Sequence, residues 1–342
     1  MTIQPLSPPV RDIDVTQPIG MALDHVQRML FRPFDLSKWI IVGFCAWLAG
    51  LGESGGTGLG FHQGFNGQGN NGAPVAEQFR QMFDRVSLYV MANLNWIIPL
   101  AAFLFVAMLS IGLLILWLNS RGKFMFLHCV ALDRAEVEIP WTQYSAQGNS
   151  LFWFRLVLHL FSLIISLPLI FFLVIDIIQM VKNGTPDVVG VLAAVGLGMG
   201  LFLLGLLLTL ARKFTTDFVV PLMYLRGGKC TTAWGEFWRL LTANPGQFAL
   251  YILFQIVLAI VICVLVLAVV LVTCCIAGCL MAIPFIGTVL LLPILIFKRS
   301  YSLFYLAQYG PEYDVFPAPA AVPAPAAPPT DGSIPPIGPL GT

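Results

Sequence analysis

The sequence predicts an all-α fold: a polytopic transmembrane helical bundle of about six spans in three hairpins, with amphipathic helices at the membrane interface. Three observations predict it. The 342 residues are 58% hydrophobic and only 10% charged, with mean hydropathy +0.85, and a soluble domain carries roughly 25% charged residues to cover its surface. Apolar runs recur at the ~20 residues that a helix needs to cross a bilayer. Lys and Arg are distributed unevenly between alternate loops, the mark of a fixed orientation.

Residues 1–36 are expected to form a cytoplasmic segment with an interfacial helix. They lack the basic start and apolar centre of a secretory signal. Residues 37–310 are expected to hold the spans. The first, 37–52, is short and ends in glycine. The outer loop 50–74 reads GLGESGGTGLGFHQGFNGQGNNGAP, a flexible low-complexity stretch. After it, EQFRQMFDRVSLYV places Phe79, Met82, Phe83, Val86 and Val90 on one helical face, which suits the outer membrane surface or an outward extension of the second span. The second to fifth spans are 96–118, 151–178, 188–211 and 248–272, and the sixth, 280–297, follows the fifth through the short link TCCIAGC. Residues 311–342 contain ten prolines and almost no charge, the composition of a disordered tail.

With six spans, fourteen Lys and Arg fall on one side and three on the other, so both termini are expected in the cytoplasm. The inner loops repeat. Arg121 and Lys123 precede FMFLHCVAL, Arg212 and Lys213 precede FTTDFVVPLMYL, and Lys298 and Arg299 precede SYSLFYLAQYG. The basic anchors recur 91 and 86 residues apart, which predicts three helical hairpins of one design and orientation. The apolar runs are too short to cross, so they are expected at the inner interface.

The sequence offers little for catalysis. Seven cysteines and four histidines show no spacing of a disulfide framework or metal site, so no metal, cofactor or catalytic residue is assigned. A net charge of +1 leaves no nucleic-acid footprint. GLGESGGTGLG and RGGKCTT lack the spacing and context of a phosphate loop. Asp133, Glu136 and Glu138 read as a solvated turn before Pro140.

One stretch, LFWFRLVLHLFSLIISLPLIFFLVIDII, carries Arg155, His159 and Asp176. Arg155 and His159 share a helical face. Arg155 and Asp176 lie roughly 31 Å apart along a helix, the thickness of a hydrocarbon core. Arg155 is therefore read as an anchor at the inner headgroups, Asp176 as the outer end, and His159 as the buried member, with Gln255 of the fifth span at similar depth. Arg155, His159 and Gln255 are the candidates for a polar pocket or lipid-headgroup contact. In the fourth span, Gly190, Ala194, Gly196, Gly198 and Gly200 have the small-residue spacing of close helix packing, within the chain or in a homo-oligomer.

The segments RPFDLSKWIIVGFCAWLAGLGE, SRGKFMFLHCV with LDRAEVEIPW, and DFVVPLMYLRG with AWGEFWRLL resemble a family of six-helix prokaryotic membrane proteins loosely related to the membrane domain of glycerophosphoryl diester phosphodiesterases. The likeness covers roughly residues 20–310. It implies a membrane-embedded helical fold and no activity, since that family's catalytic barrel is absent here. The expected role is a non-enzymatic scaffold or lipid- or partner-binding module of a bacterial or archaeal inner membrane. The alternatives are a small-molecule transporter or channel and a lipid-modifying enzyme.

Overall fold

A computed structural model describes residues 13–52, 89, 91–183, 188–273 and 276–316. Most of the glycine-rich loop, the EQFRQMF segment and the proline-rich tail from residue 317 lie outside the described residues.

Among the described residues every regular element is helical. α1 (Gln17–Phe31) begins with Pro18, which suits a first turn, and buries Ala22, His25, Val26, Met29 and Leu30 along one face. α2 (Leu36–Gly50) is capped by Asp35, whose carboxylate accepts from the Ser37 amide at 2.8 Å. α3 (Leu94–Leu132) runs for 39 residues, and the short α4 (Glu138–Gln143) leads into α5 (Ser145–Asn183). α6 (Val188–Phe214) continues through a π-helical turn (Thr215–Val219) into α7 (Val220–Arg226), one rod that stops at Gly227 with φ 66°, the left-handed cap that glycine adopts at no steric cost. α8 (Cys230–Ala243), α9 (Pro245–Val272), α10 (Ile276–Ala282), α11 (Pro284–Leu290) and α12 (Leu292–Ala307) complete the order.

Among the described residues four helices are long and apolar enough to cross a membrane: α3, α5, the α6–α7 rod and α9. The other two predicted spans differ. α2 has 15 residues, and the sixth segment is divided among α10, α11 and α12. Pro284 and Pro293 stand in the first turns of α11 and α12, where each removes a backbone donor that a continuous helix needs.

The apolar runs behind the basic anchors do not lie along an interface. They prolong the helices. A 39-residue helix is about 58 Å long, well beyond the ~30 Å of a hydrocarbon core, and the surplus of α3, Asn119 to Ala131, is almost entirely buried. Phe214–Met223 and Arg299–Leu306 are buried likewise and meet it. A helix apolar all round needs partners all round, and these three stretches supply them for one another. Phe218 stacks on Phe237 with ring centroids 5.3 Å apart and touches Phe248 and Tyr251. The buried tyrosines find acceptors: Tyr301 donates to the Val15 carbonyl and Tyr305 to that of Gln247, each at 3.0 Å.

The core thus sits at one end of the bundle. In contrast, the most apolar stretches of α3, α5 and the α6–α7 rod contain no buried residue. Exposed apolar surface of that extent suggests a membrane setting. α2 lies tightly between α3 and α11. A Cβ on Gly122 would stand 2.6 Å from the Leu48 backbone, and one on Gly43 would stand 2.6 Å from Val289 Cγ2. α1 docks on α12, where Asp14 and Gln308 exchange two hydrogen bonds of 2.8 Å, so the two ends of the described chain lie side by side.

Candidate functional site

Where the splayed apolar stretches meet the buried core, α2, α3, α5, α6 and α12 line a half-open cavity of about 920 Å³. Its upper wall is apolar and includes Met108, Leu109, Gly112, Leu113 and Leu116 of α3. Its floor is rich in basic side chains: Lys123, Arg155, Arg212, Lys213, Lys298 and Arg299 line it, with His159 beside them and Asp217 as the one lining carboxylate among the described residues.

Each side chain is held in place. Arg155 is buried and donates to the Asn119 side-chain oxygen. The Asn119 amide nitrogen donates to the carbonyls of Ala49 and Leu51 at 2.6 and 2.7 Å. Asn119 therefore satisfies the open end of α2 and leaves its oxygen for the guanidinium. Arg212 donates to His159 Nδ1 at 3.0 Å, which makes that nitrogen an acceptor.

The π-helical turn forms the centre of the floor. Such turns shift the following side chains around the helix and are frequent at functional sites. Here the Thr216 hydroxyl accepts from Lys123 and the Thr216 carbonyl accepts from Arg299, so one residue joins all three basic anchors' segments. Next to it lies a closed ring of polar contacts. Lys213 Nζ is 2.8 Å from the Asp217 carboxylate, Tyr251 donates to that carboxylate at 2.9 Å, Gln255 donates to the Tyr251 hydroxyl at 3.0 Å, and Lys213 reaches the Gln255 oxygen at 3.4 Å.

Of the residues expected from sequence, Arg155 and His159 both line the cavity, and Gln255 touches it through Lys213. Arg155 is buried against Asn119, while His159 is half-buried. Asp176 stands beside a small recess between α5 and α6 lined also by Gln179 and Gly196. Among the small residues of α6, a Cβ on Gly190 would meet Met180 at 3.0 Å, whereas Gly196, Gly198 and Gly200 face open space. Sequence reasoning missed Asn119 and Thr216 and treated Lys123, Lys213 and Arg299 as loop charges. Their signal was the register: they stand 90 and 86 residues apart, each at the head of a buried run. Among the described residues no group of three His, Cys, Asp or Glu side chains could hold a metal ion.

The described residues define a helical protein with four helices long and apolar enough to cross a membrane and a basic cavity at one end of them. The chain belongs to DUF7544, a family of unknown function, whose match covers residues 13–292. That match carries no link to the membrane domain of glycerophosphoryl diester phosphodiesterases. No curated protein and no solved structure matches the chain.

Proposed function

We propose that this chain is an integral membrane protein without catalytic activity that binds an anionic membrane lipid in the basic cavity. The observation that carries the reading is the division of the cavity itself, with a cationic floor next to an apolar wall on α3. An amphiphile satisfies both halves at once. Among the described residues the one lining carboxylate, Asp217, is engaged by Lys213 and Tyr251, an arrangement that fixes the floor.

The membrane in this reading is a prokaryotic inner membrane. α2 and the broken α10–α12 stretch, packed together at Gly43 and Val289, complete the four long helices to six crossings. Both chain ends then face the cytoplasm, in keeping with the fourteen-to-three distribution of Lys and Arg and with the docking of α1 on α12. The cavity floor lies at the cytoplasmic headgroup level, where anionic lipid is recruited by basic residues.

Native mass spectrometry of the protein in mild detergent tests the reading. The wild type should retain an anionic lipid and Arg212→Gln should retain less of it. A wild type that carries no lipid, or an Arg212→Gln variant with the wild-type complement, contradicts it.

A further inference from the structure

We infer that Cys45 of α2 and Cys129 of α3 form a dithiol that a small peroxide converts to a disulfide, which locks α2 onto α3.

The two residues stand 84 apart in the chain, so no local spacing links them, yet the fold brings their sulfurs to 3.8 Å. A disulfide holds its sulfurs about 2.05 Å apart, so closure needs about 1.8 Å of approach. Both cysteines are free and fully buried. The described residues offer no third His, Cys, Asp or Glu that would complete a metal site around the pair.

The interface around the pair is tied on both sides. α2 and α3 run antiparallel here. At one end Asn119 donates to the carbonyls of Ala49 and Leu51 at 2.6 and 2.7 Å, and Gly122 lets α3 come against the Leu48 backbone. At the other end Lys38 pairs with Asp133 at 2.8 Å. The cysteines lie between these ties, which keep the two sulfurs as neighbours. Cys129 has one thiol proton and two acceptors in reach, the Glu136 carbonyl at 3.4 Å and Cys45 Sγ at 3.8 Å. Sulfur is the weaker acceptor, so the proton goes to the carbonyl and a sulfur lone pair is left facing Cys45.

Burial selects the oxidant. A protein or a glutathione-sized disulfide cannot reach these thiols in the folded chain, whereas hydrogen peroxide is little larger than water. Ala46 and Phe126, one and three residues from the cysteines, line the cavity, so brief local opening suffices for entry. The Cys45 thiol attacks one peroxide oxygen, the O–O bond breaks, and the thiol proton leaves with the departing hydroxide as water. Cys45 is then a sulfenic acid. The Cys129 sulfur attacks the Cys45 sulfur, the S–O bond breaks, and the Cys129 proton leaves with hydroxide as a second water. The two thiols lose two electrons and the peroxide gains them. A dithiol reductant reverses the bond by exchange.

α2 supplies Ala46, Ala49, Gly50 and Leu51 to the cavity wall, so the bond fixes that wall against α3. In the topology proposed above this end of the bundle is cytoplasmic, where thiols are kept reduced. The dithiol is then the resting form and the disulfide a response to peroxide.

Peptide mapping by mass spectrometry tests the inference. The folded full-length protein is treated with hydrogen peroxide at a dose that oxidises the exposed Cys263 or Cys279, then alkylated under denaturing conditions. The wild type should yield a linked Cys45–Cys129 peptide that dithiothreitol separates. The oxidised protein should melt several degrees above the reduced one, because the cross-link restricts the unfolded chain, and α2 amides should exchange more slowly. Cys45→Ala should show neither change, and its melting curve before treatment reports whether it folds. Absence of the linked peptide from the wild type overturns the inference, and so does a link that forms only in denatured protein. A native link with unchanged α2 exchange overturns the locking of α2 and leaves the disulfide site standing.

Discussion

Lys213 and Asp217 face each other across a π-helical turn, Nζ 2.8 Å from the carboxylate, in the one stretch where the α6–α7 rod departs from α-helical geometry. The pair places a negative charge at the centre of a cationic floor. Tyr251, fully buried, completes the arrangement from α9.

Replacing Asp217 with Asn should therefore destabilise the fold. The change leaves Lys213 among five other Lys and Arg side chains lining the same cavity and weakens the acceptor of the Tyr251 hydroxyl. Breaking a fully buried pair costs about 3–5 kcal/mol, and the partial exposure of Lys213 places this one at or below the lower end. A thermal melt in detergent checks it. An unchanged melting temperature would show that the ring of Lys213, Asp217, Tyr251 and Gln255 holds nothing together.

Gly122 sets the distance between α2 and α3. An added Cβ meets the Leu48 and Ala49 backbones below 3.0 Å, and backbone cannot swing aside as a side chain does. Gly122→Ala should cost about 1–3 kcal/mol, the usual penalty of overpacking. Gly198→Leu should leave the melt of the monomer unchanged, because its surroundings are open. If Gly198→Leu instead lowers stability together with self-association, a second copy covers that face of α6.

Much of the fold was legible in the sequence, and the errors have physical causes. The apolar length of α3, α5, α6 and α9 marked them as candidate crossings because length and hydropathy are local properties. The end of α3 was misplaced because Arg121 and Lys123 were taken to mark the water boundary. The helix instead runs on to Leu132, since Asn119 and Lys123 find partners in α2 and the π-helical turn. Those partners are remote in sequence. The same remoteness hid the site. Arg155 reads as a solvated anchor until Asn119, 36 residues away, is brought against it. Counting loop cations for topology assumes that each faces water, and five of them, Lys123, Arg212, Lys213, Lys298 and Arg299, line one cavity.

His25 gives the docking of α1 a pH dependence. Its Nε2 donates to the Val130 carbonyl at 2.9 Å, and Phe304 and Phe316 flank the ring. Burial holds the imidazole below the ordinary 6.5; the Val130 hydrogen bond and the charge of Asp133 oppose that shift, and Arg28 and Lys38 add to it. The sign follows from linkage. Above 6.5 the ring is neutral whether α1 is docked or released, and the docked state has its full stability. As the pH falls below 6.5, the released ring takes up a proton more readily than the buried one, and docking weakens. Hydrogen exchange of α1 amides should accelerate relative to α12 on acidification through this range. His25→Gln, which cannot take up a proton, should remove the acid-dependent part. Equal acid sensitivity in that variant would assign the effect to another group.

The central claim is that a lipid lies in the cavity with its chain against α3 and its head on the basic floor. Photo-crosslinking with an anionic lipid that carries a photoreactive group in its chain, followed by mass-spectrometric mapping, reads this directly. The account predicts adducts on Met108, Leu109 and Leu113, which line the cavity, and their loss in Gly112→Leu. Adducts spread over the outward residues Phe103 and Phe105, which are exposed away from the lining, with no enrichment at Leu109 or Leu113, would contradict it.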